Sequence, residues 1–212
     1  MTSLEQRWPT RLAARTELRD TLVAAYAAPH RGYHDTRHLT EVLDHLDTLL
    51  EQPEAARVDR EAVVLAAWFH DAVHAGRPDD EERSAALARG TLAASDVPLE
   101  LVDEVVRLVR VTRDHLPEPG DLAGQVLCDA DLAILASAEQ RYDEYLAGVR
   151  REYAHLDEPT FRAGRARVLR ALLKAPTMFH TPVARDAWER PARANVEREL
   201  AVLEQPNAGS AS

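Results

Sequence analysis

Nearly every segment of this chain repeats its apolar residues at the helical period, and none alternates them as a half-buried strand does. Between Thr36 and Glu51, residues Leu39, Val42, Leu43, Leu46, Leu49 and Leu50 form one wide stripe, with Asp35 placed to cap the helix. The pattern predicts an all-α bundle of about eight helices in a single domain. Its first helix is expected over Thr10 to Ala28, a strongly apolar one over Asp59 to Ala75, and others over Asp80 to Ser95, Pro98 to Asp114 and Leu122 to Ala136. Ser137 with Gln140 reads as a capping box for a helix reaching Tyr153, and Glu158 to Lys174 and Pro182 to Glu204 complete the set. Residues 1–25 are expected as an N-terminal helix packed on a core of residues 26–204. The last stretch, QPNAGSAS over 205–212, reads as a disordered tail.

At 212 residues the chain is long enough for a sizeable core. No run approaches the roughly 18 apolar residues of a membrane span. The N-terminus has no apolar h-region of a secretory signal. Cys128 is the only cysteine, which excludes an internal disulfide framework and fits a reducing, cytoplasmic setting. A net charge of −10 argues against a nucleic-acid partner, which calls for a basic face. It does not bar a small anionic substrate held locally by arginine and a cation. Long helices with leucine-rich faces are consistent with a homodimer.

Against this background the segment WFHDAVH, residues 68–74, is anomalous. His70 and Asp71 follow Val63, Val64, Leu65, Ala66, Ala67, Trp68 and Phe69, where burying an imidazole or carboxylate without a partner is costly. A second His-Asp pair, His34-Asp35, has an ordinary explanation, since Asp35 sits where a helix cap belongs. For His70-Asp71 no cap is needed. Adjacent helical residues stand about 100° apart, close enough to converge on one ion, and a nitrogen beside an oxygen suits a borderline or hard divalent metal. His38, one turn into the preceding helix, and Asp131, in the apolar VLCDADLAIL, complete a set of two nitrogens and two oxygens.

The order H…HD…D on helices resembles the HD superfamily of metal-dependent phosphohydrolases. The stretches that carry the likeness are YHDTRHL, AAWFHDAVH, DDEERSA, VTRDH and LCDADLAIL, with weaker echoes in EYLAGVRREY, FRAGRARVL and ARANVEREL. Together they span roughly residues 26 to 203. The resemblance implies an HD-type helical fold and a phosphohydrolase, a phosphomonoesterase or phosphodiesterase. Its metal ligands would be His38, His70, Asp71 and Asp131, and its substrate a nucleotide or another small phosphorylated metabolite. It prefers Asp131 to Asp129, because the final ligand of the family follows a small residue, as Ala130-Asp131 does. It also implies a site histidine at the end of a helix, His115, for which a surface position is the alternative.

Related phosphohydrolases orient the attacking water with an acid in the region of Glu81, the expected general base, with Glu82 as fallback. Arg31, Tyr33, His34 and Arg37 crowd around His38 and are expected to contact phosphate. Arg165 reads equally well as a substrate contact or a core ion pair. The donor set suits Mn, Mg, Fe, Co or Ni, and Zn less naturally. Two other readings stay open. One is a non-catalytic HD domain that binds a nucleotide or partner; the other is a dinuclear iron oxygenase, which needs His74 and His115 as further ligands.

Overall fold

The α3 helix, Arg60–Phe69, is the axis of the structure: Ala62, Val63, Leu65, Ala66, Ala67, Trp68 and Phe69 are all buried. A helix apolar on nearly every side needs neighbours on nearly every side. In the computed structural model, which describes residues 3–205, α2 (Thr36–Leu50), α5 (Leu99–Val111) and α6 (Leu122–Leu132) pack on it. The α4 helix (Asp80–Ala93) covers α5. On the far side α8 (Glu158–Lys174) lies along α9 (Pro182–Glu204), and α9 also packs on the 3₁₀ turn Ala133–Ala136 that ends α6. With α1 (Thr16–Tyr26) and α7 (Glu139–Glu152) the described residues hold nine α-helices and no strand, the all-α single domain expected. None of these helices is long and apolar enough to cross a membrane.

The N-terminal segment does pack on the core, through Trp8 and Leu12, with Trp8 edge-on to Trp68 at 4.9 Å between centroids. It is not one helix from Thr10, however. The Trp8 indole N–H donates to the Leu12 carbonyl at 2.7 Å, and the Arg15 N–H takes the same acceptor at 2.8 Å. That leaves a 3₁₀ turn at Thr10–Leu12 and delays α1 to Thr16. Nor is there a capping box at Ser137: α7 starts from Ala138 without a side-chain cap, and the buried Ser137 hydroxyl has no partner. Of the expected 205–212 tail, residues 206–212 lie outside the described residues.

The larger departure concerns α3, which stops at Phe69 instead of running to Ala75. The cause is local competition for one carbonyl. His70 Nδ1 lies 2.8 Å from the Ala67 oxygen, and the Tyr26 hydroxyl sits 3.4 Å from it. The Asp71 N–H, which would otherwise take that oxygen, donates to Tyr26 Oη at 3.3 Å. The turn then tightens through Ala72 N–H to the Phe69 carbonyl at 3.0 Å. Residues 73–77 are tied down by α4: Ser84 Oγ accepts from Val73 N–H, and the buried Asp80 accepts from Ala75 and Arg77 N–H at 2.6 and 2.9 Å. Thus His70 and Asp71 sit at a helix end that is braced on both sides.

Candidate metal centre

Three segments bring four side chains to one point. Asp35 caps α2 by accepting from Arg37 and His38 N–H at 2.8 and 3.1 Å, which fixes the first turn that carries His38. His70 and Asp71 stand at the end of α3, and Asp131 lies in the last turn of α6. His38 Nε2 and His70 Nε2 are 3.1 Å apart. Asp71 Oδ2 lies 3.4 Å from His38 Nε2 and 3.2 Å from His70 Nε2. Asp131 Oδ1 lies 3.3 and 3.5 Å from the same two nitrogens. Both imidazoles are buried.

This donor set fits a divalent cation. Because His70 Nδ1 faces the Ala67 carbonyl, its proton belongs there and Nε2 keeps its lone pair. The His70 lone pair, 3.1 Å from His38 Nε2 and flanked by two carboxylates, calls for a proton or a cation between these groups. The polypeptide alone answers with protons. Burial lowers the pKa of both histidines, but the hydrogen bonds and charges of Asp131 and Asp71 outweigh it, so that His38 is raised and His70 well raised. The two aspartates show the converse: burial raises them, yet the His70 charge and neighbouring imidazoles hold both well below the ordinary carboxylate range. Separations of 3.1–3.5 Å between donors are those of ligands about 2.0–2.3 Å from a common ion.

Asp129, two residues before Asp131, faces the other way. Its Oδ1 accepts from His180 N–H, and its Oδ2 from Thr181 N–H and Thr181 Oγ, all at 2.7 Å, so this buried carboxylate anchors the start of α9. His115 does reach the cluster: its Nε2 is 2.8 Å from Asp131 Oδ2. It has φ +54°, a left-handed position past the end of α5 that costs a non-glycine residue about 1–2 kcal/mol. Glu81, in the first turn of α4, is half-buried. Burial raises its carboxyl above the ordinary value, and the charges of Asp71 and Asp80 push the same way.

Other residues nominated from the sequence are held elsewhere. Glu82 is exposed and forms a double ion pair with Arg110 at 2.7 and 2.5 Å. Arg37 is exposed between Glu41 and Glu144, at 2.9 and 2.8 Å, and makes no contact with the cluster. Arg31 donates to the His34 and Ala72 carbonyls at 2.7 and 3.1 Å and stacks on Tyr26, bracing the loop and not facing a ligand. His34 pairs with Glu152, and Arg165 with the buried Glu199 at 2.6 Å, as a core ion pair. In the phosphate-contact group the buried Tyr33 ring lies 4.8 Å from that of His38 and its hydroxyl has no partner; Arg31 Nε is likewise without one, although both of its terminal nitrogens are engaged. Two residues missed in the sequence matter here, Tyr26 and Glu152. Neither has a local signature, because each acts on a segment tens of residues away. Set against family models, curated proteins and solved structures, the chain matches none.

Proposed function

We propose that this protein is a metal-dependent phosphohydrolase of the HD type that hydrolyses a small phosphorylated metabolite or nucleotide. The observation that carries the reading is the pairing of His38 with His70 at 3.1 Å, with Asp71 and Asp131 each 3.2–3.5 Å from both imidazole nitrogens, in the H…HD…D order. A divalent ion held by these four supplies Lewis acidity toward water and phosphoryl oxygen. Everything else falls to the chain. Glu81, half-buried and raised, receives the proton of the attacking water at a carboxylate oxygen. His115, fixed by Asp131 through Nε2, keeps Nδ1 for a phosphoryl oxygen. Tyr33 Oη is the buried donor left over for the same group. The charges of Asp71 and His115 act on Glu81 across the short return over residues 76–79, which supports its role as the base.

One observation favours a second reading, an HD-type domain that binds a nucleotide or partner without turnover. Arg31 and Arg37, the arginines next to the cluster in sequence, are both engaged within the protein. A dinuclear iron oxygenase needs both His74 and His115 as further ligands; His115 reaches Asp131, but His74 lies against His34 and Glu152 instead. Turnover across a panel of nucleotides and sugar phosphates, with Mn, Mg, Co and Ni each supplied, tests the proposal. Metal-dependent phosphate release that vanishes in Asp71→Asn supports it. Stoichiometric metal with no release on any substrate replaces it with the binding domain.

A further inference from the structure

A second group of ligating side chains stands beside the first and takes no part in it. His34, His74 and Glu152 each offer one donor atom, and these atoms lie within 4.8 Å of one another. Glu152 Oε2 is 2.7 Å from His34 Nδ1 and 3.4 Å from His74 Nε2. The two imidazole rings stack at 4.1 Å between centroids, tilted by 33°.

The carboxylate is unusually well aimed. Its other oxygen, Oε1, accepts three main-chain N–H groups in succession, from Gly32, Tyr33 and His34, at 2.9, 2.8 and 2.9 Å. Three donors on one oxygen immobilise the group and leave Oε2 as the free ligand, the support that a metal-bound carboxylate normally receives from its surroundings. The position is reached because Gly148, one turn before Glu152 on α7, lies backbone to backbone against Gly32. The histidines are braced as well. Arg31 ties the His34 and Ala72 carbonyls together, and His30 Nε2 lies 3.1 Å from the His74 carbonyl.

Ordinary hydrogen bonding does not use up this group. One proton between His34 Nδ1 and Glu152 Oε2 satisfies that pair, but His74 Nε2 stays buried with no hydrogen-bond partner while it points toward the same oxygen. A nitrogen lone pair, a second nitrogen and a rigid carboxylate oxygen form a two-histidine, one-glutamate set, which suits a transition metal of the zinc class with a position open to water. We infer that His34, His74 and Glu152 form a second site for a zinc-class transition-metal ion, which clips the loop at 32–34 and the turn at 70–74 to α7. The inference does not depend on the phosphohydrolase reading, because none of the three residues belongs to the first cluster.

The test is a cobalt(II) titration of the full-length protein, read by visible absorption and by metal content after gel filtration, with folding followed by circular dichroism. Wild-type protein should bind two ions per chain and Asp71→Asn one, that one lost in Asp71→Asn/Glu152→Gln. Glu152→Gln retains an oxygen for the three N–H groups and replaces the ligating oxygen by an amide nitrogen, so its fold should survive. Asp71→Asn/His74→Gln checks the result from the opposite side of the site. A folded Asp71→Asn protein that binds no cobalt overturns the inference, as does a double variant that still binds one ion. If instead wild type binds a single ion that Glu152→Gln abolishes and Asp71→Asn does not, the second site stands and the first cluster fails.

Discussion

Asp129 and Asp131 are two residues apart in the chain, and their neutral substitutions should fail in opposite ways. In Asp129→Asn the best orientation of the amide places its oxygen where Oδ2 was, keeping the Thr181 N–H and Oγ–H bonds and setting NH₂ against the His180 N–H. One buried donor is then unsatisfied, at about 1–3 kcal/mol. Charge-assisted bonds are roughly twice as strong as neutral ones, so the two that remain weaken by about 1 kcal/mol each. The total is about 3–5 kcal/mol, or on the order of 10 °C in Tm for a chain of this size. The start of α9 loosens, yet no metal ligand is lost. Asp131→Asn instead removes the negative charge and puts an amide NH₂ in place of one oxygen, either Oδ1, 3.3 and 3.5 Å from the two imidazole nitrogens, or Oδ2, the partner of His115. That variant should lose the ion of the four-residue cluster, with the share of the metal-induced rise in Tm that comes from it, and keep only the ion at His34, His74 and Glu152. Thermal unfolding with and without metal, alongside metal content, reads both outcomes. If folded Asp129→Asn binds one ion fewer than the wild type while Asp131→Asn binds as many, the assignment of the two aspartates is wrong.

Glu81→Gln should keep metal occupancy and substrate affinity while lowering kcat by roughly 10²–10⁴-fold, the contribution of a positioned acid or base; unchanged kcat in steady-state assays removes Glu81 from the mechanism. Glu82→Gln, which breaks only an exposed pair with Arg110, should leave kcat as it is. Asp35→Ala takes away a cap with two main-chain donors and should cost about 0.5–2 kcal/mol in denaturant unfolding while the protein binds as much metal as the wild type, in contrast to His70→Ala, which should bind one ion fewer. Gly148→Ala places a Cβ 2.6 Å from the Gly32 carbonyl oxygen and should destabilise the protein by about 1–3 kcal/mol, measured in the same way.

The helices were legible because burial imposes its period on the sequence: the Leu39 to Leu49 stripe of α2 is buried as expected. The closeness of the cluster's polar groups was legible too, since polar side chains stand out among apolar neighbours at His70-Asp71 and Asp131. What escaped was whatever depends on a distant partner. The end of α3 is set by the Tyr26 hydroxyl, 45 residues away from Asp71 in sequence, and nothing in WFHDAVH announces it. The arginines near His38 carry charge suited to phosphate, but sequence does not disclose that Glu41, Glu144 and two carbonyls claim them first. Glu152, in an ordinary charged helix end, gave no sign of its three main-chain donors. The nearest clue was Gly148, a glycine within a helix, where a close backbone approach is a standing reason for the residue.

That approach has a consequence for how the sequence can drift. At most contacts in a core, a larger residue on one side is accommodated by a smaller one opposite. Gly32 and Gly148 have no such freedom: a Cβ on Gly32 meets the carbonyl oxygen of Gly148 at 2.2 Å, and the reverse holds at 2.6 Å, so each obstacle is main chain that no substitution can trim. In a saturation library the pair should therefore behave as two independent invariants. Functional clones should carry glycine at both positions, and second-site suppressors of either change should map to shifts of the loop or of α7 and never to the facing residue.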